Sequence, residues 1–195
     1  TRKSERKPGV FVISGPTRKE ISDIDATAIL EFAAQGGTLV LIDRDPPRKL
    51  LPALDNWRIS VTPAKSQPAP TTDATDVNQM TAGTDAAKPV QPTLLTIGIN
   101  SVQTSAFAGS VAIVPHSSHL MSVSADNYEG DQSPSRVDNA IGPVVHVRSG
   151  DRNVVVDVPF GSGRIVLLTD PYVIANSGVS LADNLMVATN IVGSA

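Results

Sequence analysis

Apolar residues in this chain come in short dense runs separated by turn-forming residues, and these runs set the order of its elements. Val10-Phe11-Val12-Ile13 is uninterrupted and stops at Ser14-Gly15-Pro16, the pattern of a strand buried on both faces. Ser22, followed three residues later by Asp25, has capping-box spacing, and Ala28, Ile29, Phe32 and Ala33 then share one face of a helix. Gln35-Gly36-Gly37 closes that helix, because glycine takes the left-handed conformation without steric cost. Thr38 to Ile42 repeats the dense apolar pattern. Strand, helix and strand within about 35 residues predict a βαβ unit and a parallel sheet.

Asp45-Pro46-Pro47 breaks the chain, Leu50 to Leu54 suggests a short helical turn, and Trp57 to Val61 suggests another strand. From Pro63 to Pro92 large apolar residues almost vanish in favour of Pro, Thr, Asp, Ala and Gln. Such a stretch buries too little surface to offset its ordering entropy, so residues 63–92 are expected to be a mobile insertion. Beyond it, Leu94 to Ile97, Val111 to Val114, Val144 to Val147, Val154 to Val158 and Ile165 to Leu168 are β-branched runs with turn residues at their ends. Arg148 to Asn153 and Phe160-Gly161-Ser162-Gly163 suit hairpin loops, and Ser180 with Asp183 has capping-box spacing ahead of a helix from Asn184 to Val192. The expected architecture is a mixed, mostly parallel α/β sheet flanked by helices, with an antiparallel C-terminal extension.

Composition narrows the function. At 195 residues with 41% hydrophobic content, the chain can bury one substantial core, and a single domain over 1–195 is expected. Arg2, Lys3, Arg6 and Lys7 make residues 1–8 a basic tail. The net charge of -3, with both signs interspersed, argues against nucleic acid as a partner. The chain has no cysteine, which removes thiolate nucleophiles, disulfides and cysteine-ligated metals. No run approaches the roughly 20 apolar residues of a membrane span, and Thr1 opens neither a signal peptide nor a translation start. The chain is therefore expected to be a piece of a longer protein.

Three stretches together resemble a known family. Val10 to Pro16 with Gly36-Gly37-Thr38-Leu39-Val40-Leu41 resembles the opening of domain of unknown function 4350. Gly161-Ser162-Gly163-Arg164-Ile165-Val166 into Thr169-Asp170-Pro171 resembles its "G-x-G-R-V-V…S-D-P" segment, and Asn176-Ser177-Gly178-Val179 into Asp183-Asn184 its closing "N-x-G-I…D-N". The likeness covers about half the chain, at its two ends, and the middle finds no counterpart. It implies a fold similar to class I glutamine amidotransferases and flavodoxin-like proteins. It also implies bacterial proteins anchored by transmembrane helices that flank a soluble domain, and an upstream segment beyond this chain.

The candidate chemistry is sparse. An amidotransferase needs a cysteine activated by an oriented histidine, and neither a cysteine nor a G-x-S-x-G elbow is present. His116 and His119 follow a predicted strand end, where an open α/β sheet presents its ligand crevice. A closed metal site needs a third ligand, and Asp126 and His146 lack diagnostic spacing, so no metal and no cofactor is expected. Gly161-Ser162-Gly163 precedes a strand rather than a helix and so suits a hairpin, not a phosphate cradle. Asp170, Asn176, Asp183 and Asn184 form the most suggestive cluster, because strand ends and helix starts meet at such crevices. They are candidate ligand-binding residues with His116 and His119. A simpler role is also open to them, with Asp183 capping a helix beside Ser180, Asn176 holding loop backbone and Asp170-Pro171 setting a turn.

The expected function is a non-enzymatic binding or assembly domain on the extracytoplasmic side of a bacterial membrane. Its partner would be a protein or a polar small molecule of the cell envelope, and it would meet the membrane only through flanking segments. The alternative is a cryptic serine-type hydrolase or amidotransferase-like enzyme acting near His116 or His119.

Overall fold

The computed structural model describes residues 9–17, 19–54, 56–115 and 142–193. Its first elements are β1 (Val10–Ser14), α1 (Asp23–Ala34) and β2 (Thr38–Ile42), with β1 and β2 parallel. Ser22 is the N-cap of α1, its hydroxyl accepting from the Asp25 amide at 3.1 Å and donating to the Asp25 carboxylate at 2.7 Å. Then come β3 (Trp57–Thr62), α2 (Val77–Thr81), β4 (Lys88–Pro89), β5 (Ser110–Pro115), β6 (Val144–Ser149), β7 (Arg152–Phe160), β8 (Gly163–Leu168) and α3 (Asn184–Gly193).

Six strands form one sheet in the order β1-β2-β8-β7-β6-β4, and β3 pairs with β5 in a second, two-stranded sheet. In the large sheet β1–β2 and β2–β8 are parallel, whereas β8–β7, β7–β6 and β6–β4 are antiparallel. The fold is thus mixed α/β as expected, but the sheet is not mostly parallel. The two hairpins that join β6 to β7 and β7 to β8 make those pairs antiparallel by connection alone.

Strict alternation on the central strands builds a core on each face. Leu39, Leu41, Ile165 and Leu167 point to α1 and the β3–β5 sheet, while Val40, Ile42, Val166 and Leu168 point to α3. The β7–β8 hairpin presses on the end of α1, where the Ser162 amide donates to Ala34 O at 2.8 Å and the Arg164 amide to Gly37 O at 3.2 Å. A Cβ at Gly163 would collide with the carbonyls of Ala33 and Gly37, and Gly161 sits at φ +59 against Ala34. That close approach explains why this turn needs Gly-Ser-Gly.

Several local expectations change. Among the described residues β1 is an edge strand with one neighbour, so Phe11 (46% exposed) and Val12 (45%) are not buried on both faces, and Phe11 meets the edge of Phe32 at 6.2 Å. The buried face of α1 runs through Ala26, Ile29, Leu30 and Ala33, with Ala28 exposed, because two alanines two turns apart let the helix approach the sheet. Leu94 to Ile97 is not a strand: Thr93 and Thr96 form a reciprocal capping box that turns Leu94–Thr96 into a 3-10 helix. The turn near Leu50 is a 3-10 helix over Arg48–Leu50, and the chain extends after it.

Residues 63–92 carry α2 and β4. Asp76 caps α2 through the amides of Asn78 and Gln79 at 2.9 and 3.3 Å. Met80 and Ala87 are buried, and Met80 O accepts from the Ala106 amide at 2.7 Å. Two buried apolar side chains and a cap thus give this stretch local structure that its average composition did not suggest. No helix among the described residues is long and apolar enough to cross a membrane.

Candidate functional site

The parallel strands β1, β2 and β8 end at the same side of the sheet, where open α/β folds place their ligand crevice. Ser14-Gly15, Asp43-Arg44 and Thr169-Asp170 meet there. A Cβ at Gly15 would overlap the Asp43 carboxylate, so glycine is what lets that side chain lie across the end of β1.

The protein itself fills much of this crevice. Asp170 is fully buried, and one of its oxygens accepts from the Ser105 amide at 2.5 Å. The other accepts from the Ser105 hydroxyl at 2.9 Å and the Tyr172 amide at 3.2 Å, with an Arg44 guanidinium nitrogen 3.7 Å away. Burial pushes the Asp170 carboxyl above its ordinary range, while the Ser105 amide, Arg44 and the remaining donors pull it back. The Arg44 guanidinium lies 5.6 Å from the centre of the Phe107 ring, and its Nε, like the Tyr172 hydroxyl, is buried without a hydrogen-bond partner among the described residues. Thr169 donates to Gly109 O at 2.9 Å and accepts, through its own carbonyl, from the Gly109 amide at 3.0 Å.

The other candidates of the C-terminal cluster hold the same stretch of chain. Asp183 accepts from the amides of Asn100 at 2.7 Å and Ser101 at 3.0 Å, two bonds that lower its carboxyl below the usual range. Its carboxylate therefore does not cap α3 beside Ser180, because the facing loop offers two free amides. Asn184 is fully buried, accepting from the Gln103 amide at 2.9 Å and donating to the carbonyls of Gln103 and Gly178 at 2.9 and 2.8 Å. Asp170, Asp183 and Asn184 thus grip residues 100–105 of the chain. Asn176 is exposed and no hydrogen bond ties it to the other three among the described residues. His116 and His119 lie outside the described residues.

A second polar row crosses the sheet at its opposite end. Thr93 Oγ1 stands 2.8 Å from His146 Nδ1, His146 Nε2 is 4.0 Å from Asp157, and Arg164 is 3.5 Å from the same Asp157 oxygen. The order hydroxyl, imidazole, carboxylate resembles a nucleophilic triad, but 4.0 Å exceeds a hydrogen bond, so Asp157 does not orient the ring. Burial, and then the Arg164 charge, lower His146 to about 4, far from the value a general base needs at neutral pH. Burial raises the Asp157 carboxyl against the opposing pull of Arg164. The row is a buried polar network that keeps its imidazole neutral. Among the described residues no three His, Cys, Asp or Glu side chains gather as metal ligands.

An open surface lies on the other flank of the β2–β3 connection. A groove of about 440 Å³ runs along β3, with Leu51, Leu54 and Trp57 in its wall and Asp45, Arg48 and Arg58 among its polar residues. Its size falls in the range of ligand pockets, about 300–1,000 Å³. Sequence reasoning passed over it, although the alternation of Trp57, Ile59 and Val61 inward with Arg58 and Ser60 outward, after Pro52, signals an edge strand.

The model of a protein family described as a domain of unknown function, DUF4350, matches residues 2–192. The match runs through the middle of the chain, which the motifs at the two ends left without a counterpart. No curated protein matches the chain.

Proposed function

The chain belongs to the DUF4350 family, and we propose from its geometry that it is a non-enzymatic binding or assembly module. The observation that carries this reading is the filled crevice. At the strand ends where a related enzyme would admit substrate, Ser105 bonds to Asp170, Gly109 exchanges hydrogen bonds with Thr169, and the Phe107 ring lies against Arg44. The parallel β1–β2–β8 core supports a likeness to class I glutamine amidotransferase and flavodoxin-like folds, with the chemistry absent and the scaffold kept. In this reading the domain stands on the extracytoplasmic side of a bacterial membrane, held by flanking segments, and meets an envelope protein or a polar small molecule.

Two measurements test the proposal. The domain used as bait on envelope extracts should retain the same partner reproducibly, and incubation with glutamine, esters or a fluorophosphonate probe should give neither turnover nor labelling. The hydrolase reading draws on the 2.8 Å contact between Thr93 and His146. Fluorophosphonate labelling that disappears in His146→Ala, His116→Ala or His119→Ala would replace the binding module with an enzyme.

A further inference from the structure

We propose that the groove beside β3 receives an extended acidic peptide segment of a partner protein, which adds to the β3–β5 sheet as a third strand. The inference rests on the binding-module reading and names the chemistry of the partner.

Five consecutive residues, Trp57 to Val61, line the groove. Successive side chains of a strand point to opposite faces, so a cavity that touches all five lies along the strand's edge. The inner edge of β3 is fully paired with β5, from Trp57–Pro115 to Thr62–Ser110. Among the described residues the outer edge has one antiparallel bridge, Ala53 with Arg58. The next residue along that would-be strand is Pro52, which has no amide hydrogen and cannot continue the ladder. From Ile59 onward the outer edge therefore faces the groove, a length of about 10 Å for three residues, and an unpaired edge is a template for an incoming strand.

The walls define what that strand carries. Leu51, Leu54 and Trp57 are partly buried against the core under α1 and offer apolar contact to every second side chain. Arg48 and Arg58 are exposed and pair with no carboxylate among the described residues, against the single carboxylate of Asp45. Lys49, the cation between them in sequence, is already paired with Asp23 at 2.7 Å and Glu20 at 3.7 Å. Two guanidinium groups with no carboxylate partner among the described residues, beside this strand edge, select carboxylates, which they bind in a bidentate manner.

Trp57 is the only tryptophan of the chain and stands in the groove wall, so its fluorescence reads occupancy directly. The probe is acetyl-Glu-Val-Thr-Val-Glu-Val-amide, with two controls: a peptide with lysine in place of glutamate, and the acidic peptide with alternate backbone amides methylated. Saturable change in Trp57 emission is expected with the acidic peptide, at least tenfold weaker binding with either control, and a reversed preference, for the lysine peptide, in the Arg48→Glu/Arg58→Glu variant. The charge-swapped variant gains a ligand, so its result does not depend on a loss that unfolding mimics. No saturable change at millimolar peptide, or equal affinity for the methylated or the lysine peptide, would overturn the proposal. So would concentration-dependent dimerisation that changes Trp57 emission without peptide, since a second copy would then fill the groove. Failure of the peptides alongside a reproducible partner on envelope bait would remove this site and leave the binding module standing.

Discussion

The crevice at the ends of β1, β2 and β8 and the groove along β3 lie on two flanks of one connection, residues 43–54, and they use their charges in opposite ways. In the crevice, Arg44 and Asp170 face each other across 3.7 Å and Asp170 is further bound by Ser105 and Tyr172. In the groove, Arg48 and Arg58 meet solvent beside a strand edge that Pro52 leaves open. The position customary for a ligand in an α/β sheet is thus taken by the protein's own chain, whereas the groove along β3 is left open among the described residues. A fold tells where a ligand fits only after its hydrogen bonds have been accounted for.

The largest expected effect is at Asp170. If the crevice is scaffold, Asp170→Ala leaves the Ser105 amide and hydroxyl, the Tyr172 amide and the Arg44 charge without their acceptor. Removing one partner of a buried ionic group costs about 3–5 kcal/mol, so urea unfolding should show a loss of that size. A variant as stable as the parent, or more stable, would make the crevice a strained ligand site instead.

The next effect is one of pH. A histidine held at about 4 in the folded state and near 6.5 when unfolded binds its proton mainly in the unfolded chain between those values. Stability from His146 is therefore complete above about pH 6.5 and lost as pH falls toward 4, by up to about 3 kcal/mol. Asp157 and Asp170, both raised, act with the opposite sign above the ordinary carboxylate range. The His146 contribution is accordingly read as the difference between the pH–stability curves of the parent and His146→Gln. Superimposable curves would show that the ring titrates freely and reopen a catalytic role for the Thr93–His146 pair.

Asn184→Ala and Asp183→Ala sharpen the contrast within the cluster. Asn184 is buried with three hydrogen bonds, and its loss should cost about 2–3 kcal/mol. Asp183 makes two bonds at a wetter position, and its variant should melt lower than the parent but higher than Asn184→Ala. The reverse order would mean that the loop at residues 100–101 matters more to the fold than the one at Gln103.

What was legible in the sequence follows from range. The runs Thr38–Ile42 and Ile165–Leu168, the Ser22 cap and the two hairpins are local patterns, and each takes the expected form. The role of the C-terminal cluster was not legible, because Asp170 meets a serine 65 residues away and Asp183 an amide 83 residues away. Spacing along the chain marks these residues as polar groups at strand and helix ends without telling which backbone they hold. The stretch 63–92 misleads in the same way: its average composition is that of a loop, while single residues, Met80 and Ala87, supply the contacts that seat it. The groove is half legible: the alternation from Trp57 to Val61 marks an edge strand, but that β3 pairs with β5 outside the main sheet is a long-range fact.

The smallest expected change in stability belongs to the groove. Arg48 and Arg58 are exposed and pair with no carboxylate among the described residues, so Arg48→Ser and Arg58→Ser should alter unfolding free energy by no more than about 0.5 kcal/mol, the usual range for surface positions away from caps and pairs. Arg58 is the more informative of the two, because its backbone carries the one bridge on the outer edge of β3 among the described residues while its side chain is exposed. Backbone pairing does not depend on that side chain, so its guanidinium can be removed without loosening the strand. A loss above 1.5 kcal/mol in Arg58→Ser, measured by urea unfolding at neutral pH, would show that the arginine braces the edge and would make the groove scaffold like the crevice. An unchanged midpoint leaves two cations held at an open strand edge with no structural role, as a site for an acidic partner requires.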